Sequence, residues 1–268
     1  MESLGHCKMN RFVLIAIFVF SFCYLTSCKN NKETHPKKEW VSLFNGKDLD
    51  DWLVKINGYE LNDNVFNTFQ VDNSVIRVSY KEYDSFTNQY GLLFYKAPFN
   101  NYRLKMQYRF TGEQLNGGPS WAHKNSGVMI HSQSPESIGL DQEFPVCLEV
   151  QFLGGLKEGE ERPSGNLCTP GTHVEINNKL VKDHCISSIS ETIYDESWVD
   201  MEVVVTDTLI THKINNKEVM SYSNPVIGGG YNTFPEKEGE LLTQGYIALQ
   251  SESHPVEFRD IKILELDH

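Results

Sequence analysis

Residues 147–155 read Cys-Leu-Glu-Val-Gln-Phe-Leu-Gly-Gly, and this stretch indicates both the fold and the site. Its composition is typical of a β-strand, in which successive side chains point to opposite faces. Leu148, Val150 and Phe152 therefore share one face, which suits a hydrophobic core. Glu149 and Gln151 share the other face, where a strand exposed only to solvent could have carried Thr or Lys. A carboxylate beside an amide predicts a polar groove on a sheet, the kind of surface that binds sugar.

The amino-terminal segment predicts export and a lipid anchor. Lys8 and Arg11 precede an apolar run at 12–25, which is shorter than the roughly 20 residues of a membrane-spanning helix but fits a signal-peptide core. Leu-Thr-Ser at 25–27, with Cys28 directly after it, resembles a bacterial lipobox. A plain secretory signal or a buried apolar helix is the alternative. We therefore expect residues 1–27 to be a lipoprotein signal peptide and Cys28 to be acylated.

Residues 28–38 are polar and rich in Lys and Asn, so we expect them to form a flexible tether. The anchor predicts a bacterial cell-envelope protein that is held at the outer membrane. The sequence does not indicate whether it faces the periplasm or the cell surface. The formal net charge is −12 and no basic run is present, which argues against nucleic acid as a partner. The membrane contact would then be the lipid anchor alone. The remaining length, residues 39–268, suits a single all-β domain.

Three cysteines remain after the signal and the lipidation site: Cys147, Cys168 and Cys185. The cell envelope permits disulfides. Cys168 and Cys185 bracket a strand-turn-strand pattern around Asn177-Asn178, so we predict a disulfide between them. Cys147 is left over in the middle of a strand, which favours a free, packed thiol. No CxxC or HxxxH spacing suggests zinc.

Short alternating runs fill the rest of the chain, as in residues 103–110, where Leu, Met, Tyr and Phe recur at every second position. Further strands are predicted at 126–131, 172–176, 180–181, 201–206, 209–214, 218–222, 245–250 and 256–266. Gly, Asn and Pro separate them. Residues 191–200 could hold a helical turn at most. Many short strands at this spacing predict an all-β sandwich or jelly roll.

Three long Gly- and Pro-rich loops are predicted at 112–124, 156–166 and 225–240. Loops of this length without secondary structure are often binding loops. They carry Trp121, Tyr231 and Phe234, and an exposed aromatic ring can stack on a sugar face. Each ring could instead fold back to cover the edge of the core.

Several segments, in order along the chain, resemble the 3-keto-disaccharide hydrolase family, formerly a domain of unknown function. They are LFNGKDL at 43–49 with Trp52, NSGV at 125–128, LEVQ at 148–151, and GYIALQ at 245–250 followed by VEFRDI at 256–261. The insert at 165–174 is similar to that of a Bacteroidetes-type lipoprotein subgroup. The resemblance covers about residues 39–267. It implies a concanavalin A-like jelly-roll sandwich of two antiparallel sheets, an architecture that serves both glycosidases and lectins.

The family implies chemistry on a 3-keto sugar, whose ketone acidifies the neighbouring C2 proton. A base removes that proton, the C1 oxygen leaves by elimination, and water adds back. Laminarinase-type enzymes of this architecture carry alternating carboxylates on one strand, whereas here Gln151 follows Glu149. We therefore expect Glu149 to be a lone acid assisted by histidines. The candidates are His131, His173 and His254, whose unperturbed pKa lies near neutrality.

Gln151 and Gln250 are candidates for hydrogen bonds to sugar hydroxyls, and Trp121 and Tyr231 for stacking. Each candidate histidine could instead be packed in the core, and Glu149 could be a structural partner of Arg103 or Arg109. Asp side chains at 48, 50 and 51 could ligate Ca²⁺, although a solvated turn is favoured, and we assign no metal and no cofactor. A non-catalytic glycan-binding lipoprotein is the rival function, and a structural component of an envelope complex is a third.

Overall fold

Nearly all of the regular structure in the computed structural model, which describes residues 38–267, is β-strand. The strands are β1 (Val41–Ser42), β2 (Trp52–Ile56), β3 (Phe69–Asp72), β4 (Val75–Val78), β5 (Gly91–Tyr95), β6 (Tyr102–Phe110), β7 (Asn125–Ser132), β8 (Leu148–Leu153), β9 (Asn166–Cys168), β10 (Thr172–Ile176), β11 (Lys179–Val181), β12 (Cys185–Ile186), β13 (Val199–Val205), β14 (Ile210–Ile214), β15 (Lys217–Ile227), β16 (Tyr246–Ser251) and β17 (Val256–Glu265). Short 3₁₀ turns lie in the connections, at Val65–Asn67, Ser120–Ala122, Pro135–Ser137 and Pro235–Lys237.

The strands form two antiparallel sheets, which confirms the predicted fold class. One has ten strands in the order β11-β10-β15-β14-β13-β6-β17-β4-β3, with β1 beside β17. The other has seven strands in the order β12-β9-β8-β7-β16-β5-β2. The predicted signal peptide, Cys28 and the tether up to residue 37 lie outside the described residues. Between residues 38 and 267, no helix is both long and apolar enough to cross a membrane.

The core lies between the sheets and is built by strict alternation. On β8, Leu148, Val150 and Phe152 are fully buried in it, as predicted from the alternating pattern. Phe152 stacks on Tyr108 of β6 in the opposite sheet, with ring centroids 4.0 Å apart. Full burial of such side chains stabilises the fold by about 1.5–3 kcal/mol each. This inward packing fixes Glu149 and Gln151 on the outer face of the seven-stranded sheet.

The predicted disulfide is confirmed, although its setting differs from the expected hairpin. Cys168 on β9 pairs directly with Cys185 on β12, with Cα atoms 4.1 Å apart. The intervening β10–β11 hairpin belongs to the other sheet, because β10 pairs with β15. The disulfide therefore closes a segment that crosses from one sheet to the other and back. Cys147 is a free, fully buried thiol, as expected.

A bulge in β7 changes the face to which His131 points. Ser132 pairs with Tyr246 and Met129 pairs with Ala248, so two residues of β7 lie opposite one of β16. His131 itself has a φ of 47°, a left-handed value that breaks the alternation. Its ring packs on core residue Tyr102, with centroids 6.3 Å apart. Simple alternation would have placed it beside Met129 on the outer face.

The structure also describes two segments for which the sequence left alternatives open. Residues 191–198 form no helical turn, and β13 begins directly after them at Val199. The acidic turn at 48–51 is held by the side chain of Asn45, which accepts hydrogen bonds from the backbone N–H groups of Lys47 and Asp48 at 2.8 and 3.1 Å. Asp51 pairs with Lys96 at 2.6 Å.

Candidate functional site

A cavity of about 670 Å³ opens on the outer face of the seven-stranded sheet. Volumes of 300–1,000 Å³ are typical of small-molecule sites. Strands β7, β8 and β9 form its floor, and all three of the predicted long loops contribute side chains to its rim, namely Trp121, Leu156, Arg162 and Tyr231. The face predicted from Glu149 and Gln151 is therefore a cleft.

Glu149 lies on the floor of this cleft, and its side chain extends over Gly127 of the neighbouring strand β7. A Cβ at position 127 would lie only 2.9 Å from Cγ and 3.0 Å from Cδ of Glu149. The glycine therefore makes the space that the carboxyl group occupies. The Glu149 side chain is 6% exposed, and burial raises its pKa to about 8, because a low-dielectric surrounding disfavours the charged form.

A structural ion pair does not account for Glu149. Arg103 pairs with Glu202 at 2.6 Å, and Arg109 pairs with Glu257 at 2.7 Å, both on the ten-stranded sheet. The alternative in which an arginine neutralises Glu149 is thus wrong. A buried acid without a compensating cation costs free energy, and such costs are concentrated at functional sites.

A second buried carboxyl group faces the same cleft, so the expectation of a lone acid is also wrong. Glu252, just past β16, is 3% exposed and lines the cavity with Glu149. Burial and the charge of Glu149 raise the pKa of Glu252, while Arg162 opposes the shift. One Glu252 oxygen accepts a hydrogen bond from Nε2 of Gln250 at 3.1 Å. Gln250 was predicted to bind sugar hydroxyls, but its amide instead donates a hydrogen bond to a carboxyl group of the site.

Glu252 was missed, although the sequence carried a signal for it. Gln250 and Glu252 are two residues apart at the end of β16, so alternation places them on one face. Within this segment, Gln250 and His254 were predicted as site residues, whereas the acid between them was not. No short-range pattern links Glu252 to Glu149, since strands β8 and β16 meet only through β7.

Arg162 fastens two of the loops together at the edge of the cleft. Its Nη1 donates to the backbone oxygens of Gly154 at 2.6 Å and Lys124 at 3.0 Å, and its Nη2 donates to that of Trp121 at 3.2 Å. A guanidinium group has five N–H donors, so two remain for another acceptor. Nothing in the sequence distinguished this arginine, because its partners are backbone oxygens of distant loops.

Gln151 lines the cleft beside Glu149. Its Oε1 accepts a hydrogen bond from Nδ2 of Asn166 on β9 at 3.0 Å, which orients the amide. The disulfide Cys168–Cys185 and His184 continue the lining beyond Gln151. Burial lowers the pKa of His184, so that its imidazole is neutral at pH 7. His184 is a site residue that was not predicted from the sequence.

Aromatic rings line one side of the cleft. Trp121 and Tyr231 are about half exposed, at 51% and 52%, and both border the cavity, as their predicted stacking role requires. Tyr90 stacks behind Trp121 and also contacts Phe144, which in turn contacts Tyr231, with centroids 6.1, 5.2 and 5.4 Å apart. Phe234 instead borders a separate cavity.

The three predicted histidines do not join Glu149. None of His131, His173 and His254 is among the residues that line the cleft. His131 faces the core because of the bulge, and burial lowers its pKa to about 4. His173 lies on β10 of the other sheet.

His254 is fully buried against Phe110 and His123, with centroids 5.6 and 5.2 Å apart. Burial lowers its pKa to about 3, so it is neutral at pH 7. The expectation that these three histidines assist Glu149 directly is not supported by where their side chains lie. Among the described residues, no cluster of three or more His, Cys, Asp or Glu side chains could hold a metal ion.

The β-sandwich and its cleft, with an acidic floor and an aromatic side, suit a carbohydrate-active protein. The chain belongs to the family of the 3-keto-alpha-glucoside-1,2-lyase-like domain, whose model matches residues 39–264. The resemblance drawn from the motifs is thereby confirmed. A search of curated proteins gave no significant match.

Two solved structures from Parabacteroides distasonis ATCC 8503, provisionally described as glycosyl hydrolases, share the fold. The first is 20% identical with a TM-score of 0.50, covering 85% of this chain and 94% of that protein. The second is 17% identical with a TM-score of 0.53, covering 85% of this chain and 100% of that protein. At these identities the likeness concerns the fold alone.

Proposed function

We propose that the protein cleaves 3-keto-glycosides by abstraction of the C2 proton and elimination of the C1 substituent. The observation that supports this most directly is the pair of buried carboxyl groups, Glu149 and Glu252, in one cleft. The family assignment supports the substrate class, and the acid pair is suited to the two proton transfers that the reaction needs.

Glu149 as a carboxylate takes the C2 proton, and the C–H electron pair forms an enolate between C2 and the C3 oxygen. The enolate then collapses: the C3 carbonyl re-forms, a C1–C2 double bond forms and the C1–O bond breaks. Glu252 as a carboxylic acid gives its proton to the departing oxygen. Addition of water across C1–C2 returns a proton to C2, so the net reaction is hydrolysis.

The electrostatics of the pair favour this division of labour. Once Glu149 is ionised, its charge raises the pKa of Glu252, so the second carboxyl keeps its proton. One base and one acid then coexist at the same pH, the arrangement that environment-shifted carboxyl pairs provide in other enzymes. Glu149, with its pKa raised to about 8, is a stronger base than an exposed glutamate.

The developing enolate needs hydrogen-bond donors, and we assign this role to Gln151 and Arg162. Gln151 lines the cleft, and because its oxygen is engaged by Asn166, its amide nitrogen is left to donate. Arg162 keeps two N–H groups beyond those bound to backbone oxygens. Preorganised donors of this kind typically contribute about 10²–10³ in rate.

The test is turnover of a 3-keto-glucoside by Glu149→Gln, together with exchange of the C2 hydrogen in D₂O. We expect both to fall by at least about 100-fold, because general-base catalysis contributes 10²–10⁴-fold. Glu218→Gln is the matched control, since Glu218 is exposed on the ten-stranded sheet. Unchanged C2 exchange in Glu149→Gln would remove Glu149 as the base.

Direct hydrolysis of an unoxidised glycoside is the second candidate, and the presence of Glu252 favours it. Two carboxyl groups flanking a glycosidic bond suffice for that reaction. The matched unoxidised glucoside decides between the two, because it lacks an acidic C2 proton. Cleavage of it at a comparable rate supports direct hydrolysis, and binding of either sugar without cleavage supports the non-catalytic glycan-binding alternative.

We further propose that the domain is held at the bacterial outer membrane by acylated Cys28, with residues 28–38 as a tether. The lipobox-like Leu-Thr-Ser-Cys at 25–28 supports this, since several acyl chains on one cysteine anchor firmly. Labelling with a radioactive fatty acid should mark the wild-type protein and not Cys28→Ala. Equal labelling, or release of both into the soluble fraction, would contradict the anchor.

A further inference from the structure

The aromatic side of the cleft is a continuous surface, which we call the aromatic wall: Trp121, Phe144, Tyr231 and His184, backed by Tyr90. The ring of His184 contacts that of Tyr231 with centroids 5.3 Å apart, so the wall extends to the disulfide. Trp121 and Tyr231 leave about half of their surface open. Trp121 stacks on Tyr90 with an interplanar angle of 13°, whereas Phe144 and Tyr231 meet edge to face at 81°, so the wall offers separate exposed ring faces and not one plane.

Hydrogen-bonding groups are concentrated on the floor instead. Glu149, Gln151, Glu252, Asn125 and Arg162 all line the cleft there or at its edge. Leu153 and Leu156 also line the cleft and add further apolar surface. The cleft thus combines polar groups that can engage a sugar ring with apolar surface that offers few partners for hydroxyl groups.

Building on the function proposed above, we propose that this cleft takes glycosides with a planar aromatic aglycone. The 3-keto sugar lies on the floor over Glu149, and the aglycone stacks on an exposed ring of the aromatic wall. The 3-keto sugar is taken from the proposed function, and the aglycone class is inferred from the wall alone.

The physical reason is the cost of burying hydroxyl groups without partners. A second sugar on the wall would turn several hydroxyls toward rings and leucines, and each unsatisfied buried polar group is unfavourable. A planar aromatic group carries few such groups and gains both apolar burial and ring stacking. Binding energy from this remote part could then help to position the reacting carbon.

The experiment measures binding without turnover, so it does not depend on the proposed chemistry. Calorimetry with unoxidised 2-naphthyl glucoside and methyl glucoside is expected to show at least about tenfold tighter binding of the naphthyl compound. Trp121→Ala and Tyr231→Ala should each reduce that preference by about 3- to 10-fold while leaving methyl glucoside affinity little changed. Trp40→Ala is the control, because Trp40 lies against Arg103 and Lys105 of the ten-stranded sheet.

Equal affinity for the two glucosides would overturn the proposal. So would a glucose disaccharide that binds more tightly than the naphthyl compound and depends equally on Trp121 and Tyr231, because the wall would then be a second sugar subsite. If the naphthyl preference holds and yet 3-keto-glucosides are not cleaved, the aglycone inference stands and the proposed reaction fails. The two conclusions are therefore tested separately.

Discussion

Substitution of Gly127 by alanine tests whether the position of the Glu149 carboxyl group matters for activity. Gly127 lies in the middle of β7, pairs with Gln151 on β8 and lies beneath the Glu149 side chain. Its φ is not in the left-handed region, so alanine fits the backbone without strain. The new methyl group would act only on the side chain above it.

The required displacement follows from the contacts. Ordinary contacts of a Cβ begin at 3.4 Å, whereas the new Cβ would lie 2.9 Å from Cγ of Glu149 and closer still to Oε1. The carboxyl group must therefore move by about 0.5–1 Å, which a flexible side chain can do at little cost in stability. Misplacement of a reacting group by about 1 Å can cost about 100-fold in rate, so we expect kcat to fall by about 10- to 100-fold.

The assay compares turnover of a 3-keto-glucoside with the thermal midpoint Tm. Gly127→Ala should keep Tm within about 3 °C of the wild type, because replacing Gly by Ala at a compatible site changes stability by less than about 1 kcal/mol. Gly139→Ala is the control, since the nearest atom to its Cβ, on Gln142, would be at 3.7 Å. Wild-type turnover in a folded Gly127→Ala protein would refute the role assigned to Glu149.

Three further predictions concern the acids and the disulfide. Glu252→Gln should slow the release of an alkyl aglycone by at least about 100-fold, because a poor leaving group needs a proton from the acid. Release of 4-nitrophenol, a good leaving group, should slow by less than about tenfold. Equal losses would argue against Glu252 as the acid. Burial raises the pKa of Glu149 to about 8. Between about pH 5 and 8 the folded protein therefore keeps a proton on Glu149 that the unfolded chain releases. The free energy of unfolding should fall over this range by up to about 1.4 kcal/mol per pH unit. Urea denaturation should show a shallower fall for Glu149→Gln, and an unchanged slope would contradict the shifted pKa. Replacing Cys168 and Cys185 by alanine should lower the free energy of unfolding by about 3 kcal/mol, as expected for a sequence separation of 17. It should also weaken ligand binding, since His184 adjoins the disulfide. Unchanged stability would count against the first effect, and unchanged affinity against the second.

The sequence predicted the strands well, because their physical cause is local. Alternation in 103–110 and 147–155 reports which side chains meet the core, and the structure has β6 and β8 at these places. The polar face of β8 followed from the same rule. The disulfide was also predictable, since only three cysteines remained and two of them bracketed a turn.

The site was predicted only in part, because its members come from distant strands and loops. The polar character of the segment with Gln250 and Glu252 was visible in the sequence. That Glu252 shares a cleft with Glu149 depends on β7 lying between β8 and β16. Arg162 acts through backbone oxygens, which no side-chain pattern records. His131 was misassigned because one bulge residue reverses the face of a side chain, and alternation cannot reveal a bulge.

The sequence by itself determined the all-β class, the inward and outward faces of the strands, and the family. It did so because hydrophobic alternation and short motifs are properties of neighbouring residues. Only the tertiary structure decided that Glu149 has a second acid as its partner in place of histidines. That pairing depends on strand order across the sheet and on the space above Gly127, and both arise only when distant segments pack together.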